Sequence, residues 1–600
     1  MSDSNFEYII CGAGIAGLYS AISLNEKYNI PGDKILVLEK SYRVGGKVHT
    51  LETDVSLPDG KKEHIVYECG AGRFKKEHLI LMELINKYKL QDKIYPIPEK
   101  KDFKIVYRTG PIQVNNNIFK QMLNSVLNGS YNEFQLRSKT FRSLMEEVVG
   151  FEKTRIFIEY FGYNSEISNV NAYDGLRIFK TDFNQYSQYF VLQGGLEQIT
   201  KKMQEDCKNK GIKILTSTKI INYSFNNELF TVNSINFEQQ NKDYICKKLV
   251  LAFDKRYLKS IKALNPIKNL INSVNVCSLT RIYAVFPKDE QTGKVWFSGI
   301  PKTTTNLPIR QVIPINEEQG LIMISYSDDY FAKQWQQYFL DGQLENMILK
   351  YIRRMFPTKE IPKPLFLQKL FWINGTHLWK VNTDSNDISN RILKPFDYPL
   401  FICGETYSLN QGWIEGALDT AKQAIELAEN NKNIFEPKIF TLEEVSKSNN
   451  LTIINDNVYD LTKNDWINKH PGGDVIKKAI GIDATNLFQY IQHPEYAKNI
   501  LEELYVGKVN TNTKLKPTEN IKNIQTQNVK EIDKSQEKVT NTKFTKLEEP
   551  EKSKETEIKP EETIDFENES IIQEKSTEQI ETQVIGGYRK KISLPKLFFD

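Results

Sequence analysis

The N-terminal segment of the chain combines short apolar runs with one glycine-rich turn. Residues 8–11 and 35–38 are unbroken apolar runs, which predict two buried strands. Residues 18–24 lie between them, are mostly apolar and predict the helix that follows the turn. A strand, a glycine turn, a helix and a second strand in this order predict the start of an α/β domain with a parallel sheet.

The turn between the first strand and the helix holds Gly12, Gly14 and Gly17. Gly12 permits the tight turn, Gly14 lets the backbone approach a pyrophosphate, and Gly17 lets the helix pack closely on the strand. The anion then lies on the free N–H groups of the helix N-terminus. The second strand ends at Glu39, where a carboxylate accepts hydrogen bonds from an adenosine ribose. The pattern therefore predicts a dinucleotide-binding site.

Later segments resemble the flavin-dependent amine oxidases. Residues 43–47, Arg-Val-Gly-Gly-Lys, follow Glu39 at the distance at which that family carries its RxGGR segment. Residues 194–196 open a predicted helix, and residues 214–221 resemble the strand that lies over the adenine. Two further segments complete the resemblance: residues 401–405 and 412–417. In the family, the Glu of the first segment contacts the ribityl chain of FAD. The second segment begins a helix that offers its N–H groups to the flavin ring. The similarity covers residues 5–430.

The resemblance implies an α/β fold, α+β overall, in which a Rossmann-type FAD-binding domain is interleaved with a mixed-sheet substrate domain and a helical insertion at about residues 110–190. No Cys lies in residues 372–402, where the monoamine oxidases carry their flavin-linked Cys, so we expect FAD to be bound non-covalently. The residues that the resemblance assigns to FAD are Gly12, Gly14, Gly17, Glu39, Arg43, Gly45, Gly46, Lys47, Arg73, Glu405, Trp413 and Ile414.

Residues 68–74, Glu-Cys-Gly-Ala-Gly-Arg-Phe, resemble the segment of the L-amino-acid oxidases in which the Arg binds the substrate carboxylate. Arg73 suits that role because its planar guanidinium can bond both carboxylate oxygens. In the same enzymes a strand similar to residues 320–326 provides a second carboxylate contact through its Tyr, here Tyr326, and Trp413 would form an aromatic wall beside the flavin. The alternatives are a structural ion pair for Arg73 and core packing for Tyr326.

Two features depart from that family. Residues 278–283 resemble a strand that carries a Lys bonded to a water near flavin N5, but here the position holds Arg281. Arg remains cationic and cannot accept a proton, which puts reoxidation by dioxygen in question. No His occurs between His78 and His377, so the helical insertion lacks the His that some amino-acid oxidases place near their substrate. For His377 we expect a packed or exposed side chain rather than a catalytic base.

The segment after the flavoprotein resembles the cytochrome b5 domain. Residues 440–445, 458–462, 470–474, 481–488 and 493–495 match that domain in order and spacing. The resemblance implies haem b, held from its two faces by His470 and His493, and hence one-electron transfer rather than oxygen activation. The alternative is a remnant that keeps the fold without haem.

The composition agrees with a division into three regions: the predicted flavoprotein at residues 1–435, the cytochrome b5-like domain at residues 438–510, and a tail at residues 511–600. The last is rich in Lys, Glu, Thr, Asn and Gln with almost no aromatic residues to residue 585, and is predicted to be disordered. A net charge of +4 without a basic stripe gives no sign of nucleic-acid binding. Residues 586–600 regain basic and aromatic residues and are either a docking peptide or an uncommitted tail.

No apolar run is long enough for a transmembrane helix, and the first strand begins too early to leave room for a signal peptide. The six Cys are scattered, which favours a reducing, intracellular setting. We therefore expect a cytoplasmic protein or, if the Asn, Ile and Lys bias reflects a viral origin, one packaged in a viral particle.

Together these patterns predict an FAD-dependent oxidoreductase that acts on a small amine, foremost an L-amino acid, with the haem, dioxygen or a redox partner as electron acceptor. The resemblance makes Arg73, Tyr326, Trp413 and Arg281 the candidate catalytic residues. A polyamine or protein-lysine oxidase is the alternative enzyme. Outside enzymes, the alternative is a degenerate flavohaemoprotein that serves as an electron carrier or a scaffold.

Overall fold

The computed structural model describes residues 6–98, 101–104, 106, 116–183, 188–429, 438–491, 500–501 and 504–509, without the side chains of residues 116, 438 and 464. The predicted disordered region 511–600, including the basic and aromatic peptide at its end, lies outside the described residues.

The strands are β1 (Phe6–Cys11), β2 (Ile35–Leu38), β3 (Thr50–Ser56), β4 (Lys62–Glu68), β5 (Ile94–Pro96), β6 (Lys101–Lys104), β7 (Phe190–Leu192), β8 (Lys213–Leu215), β9 (Thr218–Asn226), β10 (Leu229–Asn236), β11 (Asn241–Leu251), β12 (Val274–Val285), β13 (Lys302–Thr305), β14 (Gln311–Asn316), β15 (Leu321–Asp328), β16 (Phe366–Trp379), β17 (Leu400–Ile402), β18 (Lys438–Phe440), β19 (Leu451–Ile454), β20 (Asn457–Asp460) and β21 (Tyr505–Val509).

The α-helices are α1 (Ile15–Tyr28), α2 (Leu79–Lys87), α3 (Asn116–Leu127), α4 (Glu133–Arg137), α5 (Phe141–Val149), α6 (Phe151–Phe161), α7 (Ser165–Ser168), α8 (Ala172–Thr181), α9 (Glu197–Asn209), α10 (Lys255–Ser260), α11 (Lys268–Ile271), α12 (Asp329–Leu340), α13 (Leu344–Met355), α14 (Ser385–Arg391), α15 (Ile414–Glu429), α16 (Leu442–Ser446), α17 (Trp466–Lys469) and α18 (Thr485–Tyr490).

The first sheet has the strand order β8-β2-β1-β11-β10-β9, with β17 beside β11. β1 pairs in parallel with β2 and with β11, and β11 pairs in parallel with β17. Ile10 packs in an apolar cluster with residues of α1 and α15, whereas Ile9 belongs to a cluster on the opposite face. Both faces of the parallel strands are therefore covered, as in doubly wound domains, and the predicted α/β fold is confirmed.

The segment predicted as one strand over residues 214–221 is two strands, so that prediction was wrong in detail. β8 pairs in parallel with β2, and β9 pairs in antiparallel fashion with β10. Between them Ser217 has left-handed backbone (φ 52°), and its N–H bonds to the carbonyl of Ser41 at 2.8 Å. A residue with positive φ ends strand geometry, and the bend comes to lie against the segment after Glu39.

The second sheet has the order β16-β12-β15-β14-β13-β6, with antiparallel pairs except for parallel β13 and β6. Helices α3 to α8 provide the predicted insertion, of which residues 110–115 and 184–187 lie outside the described ranges. The insertion buries its apolar side against this sheet, where Phe141 and Phe179 share a cluster with Cys277 of β12 and Leu378 of β16. This sheet is thus mixed and covered by helices, as expected for the predicted substrate domain.

The C-terminal domain has a small sheet in the order β18-β21-β20-β19. Thr441 and Glu444 form a capping box at the start of α16. An apolar cluster that includes Leu461, Ile476 and Ala484 lies beside the His-Pro-Gly-Gly segment at residues 470–473. Throughout the described ranges, each helix is too short or too polar to span a bilayer.

Candidate functional site

The turn between β1 and α1 is tight and requires glycine at two positions. Gly12 has φ 107°, a conformation that favours glycine, and its N–H bonds to the carbonyl of Leu38 at 2.7 Å. A Cβ on Gly17 would stand 1.9 Å from the Gly12 carbonyl oxygen, so the helix can approach the strand only with glycine there. The predicted roles of these two residues match the geometry.

The N-terminus of α1 is open to an anion. No side chain caps the helix at Gly14, and its first turn carries no acidic residue. The heavy atom nearest to a Cβ built on Gly14 is Cα of Gly46, 3.9 Å away, so the space in front of this backbone is free of side chains. The N-terminal N–H groups of a helix beside such a space fit a pyrophosphate.

The Gly-Gly turn at 45–46 lies against this helix start. Gly45 N donates to the carbonyl of Ala13 at 2.8 Å. Arg43 holds the turn from outside, because its guanidinium donates to the carbonyls of Val44 (3.0 Å) and Gly46 (2.7 Å). Arg43 therefore stabilises the Gly-Gly turn beside the predicted cofactor site.

Glu39 is buried at the end of β2, as predicted. Its carboxylate accepts hydrogen bonds from the N–H groups of Ala13 (2.7 Å) and Ser41 (2.8 Å). Burial raises the pKa of Glu39, and these two N–H groups oppose that rise. The carboxylate therefore joins the glycine turn to the loop after β2, at the position where the family binds the adenosine ribose.

Glu405 joins several segments of the chain in the second half of the predicted FAD site. Its carboxylate accepts hydrogen bonds from Lys47 Nζ (2.9 Å), from the backbone N–H of Gly412 (2.9 Å), and from Thr376 Oγ1 (3.2 Å). His377 adds two more, from Nδ1 at 2.8 Å and from its N–H at 3.1 Å. Burial alone would raise the pKa of Glu405, but Lys47 and His377 hold it well below its usual range. Glu405 is therefore a fixed anion.

The two ends of the flavoprotein meet at this carboxylate. Lys47 follows the Gly-Gly turn near the N-terminus, whereas Gly412 precedes α15, which begins at Ile414 as predicted. Glu415 then accepts hydrogen bonds from the N–H groups of Ile80 (2.9 Å) and Leu81 (3.0 Å) at the start of α2. These bonds fix the position of the α15 N-terminus, which the sequence assigned to the flavin ring.

A second cluster contains Arg73 and Trp413. The Arg73 guanidinium carbon lies 4.6 Å from the ring centre of Tyr189 and 5.7 Å from that of Trp413. The two rings are nearly parallel, at an interplanar angle of 9° with centres 5.9 Å apart. The structure brings together the proposed carboxylate-binding residue and the proposed aromatic wall, and adds Tyr189, which the sequence did not single out.

Trp413 is oriented by residues that the sequence analysis missed. Its Nε1 donates to Asp182 Oδ2 at 2.8 Å, and Asp182 Oδ1 pairs with Lys75 Nζ, also at 2.8 Å. His78 meets the Trp413 ring edge-on at 4.9 Å. Burial, with a contribution from Lys75, lowers the pKa of His78 to about 4, so this imidazole is neutral at pH 7.

Tyr326 and Arg281 face each other on neighbouring strands. They are register partners in the β12–β15 pair, and the Arg281 guanidinium carbon lies 4.9 Å from the Tyr326 ring centre. Arg281 Nη1 also donates to the carbonyl of Glu68 at 3.2 Å. A Cβ on Gly72 would stand 3.0 Å from the same Nη1, so Arg281 lies against the segment that carries Arg73. All four predicted catalytic residues thus lie in one region.

The insertion contributes to this region through α6 and α7. Tyr163, between these helices, meets the Tyr326 ring edge-on at 5.4 Å. Asp328, two residues after Tyr326, accepts hydrogen bonds from the N–H groups of Asn164 (2.9 Å) and Ser165 (2.6 Å). Glu166 follows in the first turn of α7, and burial next to Asp328 raises its pKa to about 8. The walls beside Tyr326 are therefore polar and largely buried.

In the C-terminal domain His470 ends α17. The N–H of Gly472 donates to His470 Nδ1 at 3.2 Å, and Trp466 meets the imidazole edge-on at 6.0 Å. A Cβ on Gly472 would stand 2.9 Å from His470 Cε1, so the backbone at Gly472 lies close against the imidazole. A half-buried His next to an apolar cluster fits a haem ligand. The second predicted ligand, His493, lies outside the described residues.

Two known families match this chain. Residues 15–426, more than half of the chain, match the model for flavin containing amine oxidoreductases. Residues 441–510 match the model for the cytochrome b5-like haem/steroid binding domain.

Individual relatives give the same division. An uncharacterized protein, R188, of Acanthamoeba polyphaga mimivirus is 23% identical over 493 residues, which cover 69% of this chain and 92% of that protein. Cytochrome b5 of Borago officinalis is 47% identical over 81 residues, and isoform B of Arabidopsis thaliana is 42% identical over 83 residues; each match covers 13% of this chain and 60% of the relative. The chain belongs to the flavin-containing amine oxidoreductase family, with FAD as its cofactor, and carries a cytochrome b5-like haem-binding domain behind the flavoprotein.

Proposed function

We propose that the chain oxidises an L-amino acid and that Arg73 binds the substrate carboxylate. The observation that carries this proposal is the environment of Arg73. Among the described residues no carboxylate lies within ion-pair distance of its guanidinium, whose neighbours are the rings of Tyr189 and Trp413 and the phenols of Tyr163 and Tyr326. A half-buried cation with no carboxylate within ion-pair distance among the described residues favours a ligand that brings one, which supports carboxylate binding over a structural ion pair.

Tyr326 is the proposed second contact. It lies in the same region, between the Arg281 guanidinium and the Tyr163 ring, and is only partly buried. A phenol O–H beside a guanidinium can donate to the second face of a carboxylate. The placement supports a carboxylate clamp made of Arg73 and Tyr326 more than simple core packing of Tyr326.

The proposed reaction removes a hydride from the carbon that bears the amine and a proton from the nitrogen. Water then hydrolyses the resulting imine to a 2-oxo acid and ammonia. FAD, when bound, supplies the acceptor for the hydride. Arg73 and Tyr326 would fix the carboxylate, and Trp413 and Tyr189 would limit the orientation of the α-carbon, which is how a binding site lowers the entropic part of a barrier.

The test is an anaerobic titration of the flavin absorbance with L-amino acids and with the amines that lack their carboxylate. We expect amino acids to bleach the flavin band and Arg73→Ala to weaken their binding about 100-fold, in keeping with the loss of a partly buried charge pair. Binding of the decarboxylated amines should change little. Arg73→Lys is the matched variant, since it keeps the positive charge but loses the planar guanidinium that can bond both carboxylate oxygens.

Other outcomes separate the alternatives. Bleaching by polyamines or by peptidyl lysine, unaffected in Arg73→Ala, would favour a polyamine or protein-lysine oxidase. If no amine bleaches a fully loaded flavin, the proposed oxidation fails and a role as electron carrier or scaffold is favoured.

We further propose that the haem accepts electrons from the flavin one at a time. The arrangement of both cofactor domains on one chain supports this route, as does Arg281 at the position where the family carries a Lys near flavin N5. Anaerobic stopped-flow mixing with substrate tests it. Haem reduction should follow flavin reduction at a rate at least equal to turnover; a much slower haem phase would contradict the route.

A further inference from the structure

Lys302, on β13, lies on the face of the second sheet that carries Tyr326. Residues two apart on a strand, and residues directly opposite each other on neighbouring strands, share a face of a sheet. Lys302 therefore shares its face with Thr304, which lies opposite Gln311 of β14. Ile313, two residues after Gln311, packs in the same apolar cluster as Tyr326. Lys302 thus belongs to the side of the sheet where the proposed substrate contacts lie.

The helical insertion covers this face. A Cβ on Gly162, at the end of α6, would stand 3.1 Å from Cγ2 of Thr304 and 3.1 Å from Cγ of Gln311. The next residue, Tyr163, meets the ring of Tyr326 edge-on. The face of β13 that carries Lys302 is therefore directed into the protein, between the sheet and the insertion.

Lys302 lies deep in the protein and is still accessible. Burial is the largest of the causes that hold the pKa of its ammonium group well below the usual range. By exposed area the residue is nevertheless only half-buried, as is Arg73. A side chain that protein surrounds, and that keeps accessible surface, borders an internal space. Such a space can receive a small ligand.

The charged groups that act on Lys302 are cations. They are Lys101, its register partner on β6, and Arg73, and both lower the pKa of Lys302 further. The next residue of β6, Asp102, pairs with Thr303 and so lies on the other face of the sheet. Among the described residues no carboxylate neutralises Lys302 or Arg73. Two basic side chains that repel each other beside an accessible space favour a ligand that brings negative charge to both.

We propose that Lys302 binds a second carboxylate of the substrate, so that the site selects L-amino acids with an acidic side chain, aspartate or glutamate. Arg73 then holds the α-carboxylate, and Lys302 holds the carboxylate of the side chain. A carboxylate beside Lys302 favours its ammonium form and offsets the repulsion from Arg73. The inference rests on the proposed function, because it takes Arg73 as the contact of the α-carboxylate, and it names the substrate class.

The first test measures binding without oxidation. Isothermal titration calorimetry of the full chain loaded with FAD compares glutarate and succinate with pentanoate and butanoate, which have the same numbers of carbons but one carboxylate. We expect the better dicarboxylate to bind the natural chain at least about tenfold more tightly than its monoacid, and this preference to disappear in Lys302→Met. Lys302→Arg keeps a cation and should keep part of the preference. Lys294→Met removes the same charge from an exposed position and should change neither affinity.

The second test uses reduction of the flavin. L-glutamate and L-aspartate are titrated anaerobically against the flavin absorbance and compared with their neutral amides, L-glutamine and L-asparagine. We expect the acids to bleach the flavin at lower concentrations than the amides. Lys302→Met should raise the concentration required about tenfold for the acids and leave the amides unchanged.

The outcomes separate this inference from the proposed oxidation. A natural chain that binds diacids and monoacids equally, or a preference that persists in Lys302→Met, overturns the role of Lys302, even if neutral amino acids bleach the flavin. A dicarboxylate preference that depends on Lys302, without bleaching by any amino acid, supports the role of Lys302 and overturns the oxidation. If Lys302→Met does not fold, Lys302→Gln takes its place, and failure of both to fold assigns Lys302 to packing.

Discussion

The indole Nε1 of Trp413 donates a hydrogen bond of 2.8 Å to Oδ2 of Asp182. Trp413 directly precedes α15, whereas Asp182 directly follows α8 at the end of the helical insertion. The bond therefore fixes the proposed aromatic wall to the insertion, and the pairing of Asp182 with Lys75 holds the carboxylate in place.

Loss of this bond should impair the proposed reaction without loss of cofactor. We expect Asp182→Ala to slow substrate-dependent flavin reduction about tenfold, because a misplaced ring misplaces the substrate. Asp182→Asn keeps an acceptor for Trp413 and should be affected less. Single-turnover reduction across a range of substrate concentrations measures this effect, with Asp59→Asn, at an exposed site, as control. Unchanged rates in Asp182→Ala would show that Trp413 does not position the substrate.

Arg281 offers a test of the oxygen reaction. Arg281→Lys restores the residue that the family carries near flavin N5, and we expect reoxidation by dioxygen to accelerate about tenfold, equivalent to about 1.4 kcal/mol of barrier. The measurement is the rate at which pre-reduced flavin recovers its absorbance in air-saturated buffer. Because Arg281 also bonds the Glu68 carbonyl, Arg281→Met, which lacks the charge, separates that structural contact from the chemistry. If the flavin is reoxidised at the same rate in Arg281→Lys and Arg281→Met, Arg281 does not limit the reaction with dioxygen.

The glycines of the first turn should respond differently to the same substitution. Gly17→Ala puts a Cβ 1.9 Å from a carbonyl oxygen, and we expect it to destabilise the domain by about 3 kcal/mol or more. Gly14→Ala meets only the 3.9 Å contact with Gly46, so the protein should fold normally yet bind FAD at least about tenfold more weakly, since the methyl group occupies pyrophosphate space. Thermal unfolding and FAD titration distinguish the two. Normal FAD affinity in Gly14→Ala would contradict the proposed position of the pyrophosphate.

His470 should be required for haem and not for FAD. We expect His470→Ala to lose the Soret band while the flavin content per chain stays unchanged. His470→Met, with a weaker thioether ligand, should retain haem in part and raise its reduction potential. Absorbance spectra and a redox titration check both statements. Full haem content in His470→Ala would show that His470 is not an axial ligand.

Glu68 should make stability fall as pH rises. Burial raises its pKa to about 7, although hydrogen bonds from Leu196 N (2.7 Å) and Thr50 Oγ1 (2.9 Å) oppose this effect. Between the ordinary value of 4.5 and about 7, the folded protein keeps a proton that the unfolded chain releases, so its stability declines across that window.

Glu68→Gln removes this dependence. We expect the variant to gain about 2 to 3 kcal/mol over the natural protein on going from pH 4.5 to pH 7.5. Thermal unfolding at a series of pH values measures the difference, with Glu77→Gln at an exposed position as control. A difference that does not change with pH would mean that Glu68 is ionised throughout.

The local features of the flavin site could be predicted from the sequence. Gly12 and Gly17 are fixed by backbone geometry within one turn, and continuous apolar runs suffice to predict β1 and β2 because both faces of a parallel strand are buried. The sequence pattern was wrong where one residue alters the backbone, at Ser217, since a positive φ in a non-glycine residue has no reliable local signal.

Only the tertiary structure determined the contacts between distant segments. Trp413 and Asp182 are 231 residues apart in the chain, and Arg281 meets Tyr326 through strand register. His377 was expected to be packed or exposed; it is buried, and its bond to Glu405, which no motif indicated, gives it a defined orientation. Propensity and motif spacing describe neighbours along the chain, whereas these pairs depend on how the sheets and the insertion pack together. For that reason the sequence by itself determined the cofactor-binding motifs, and the folded structure determined which side chains orient the proposed substrate-binding residues and the predicted flavin-binding segments.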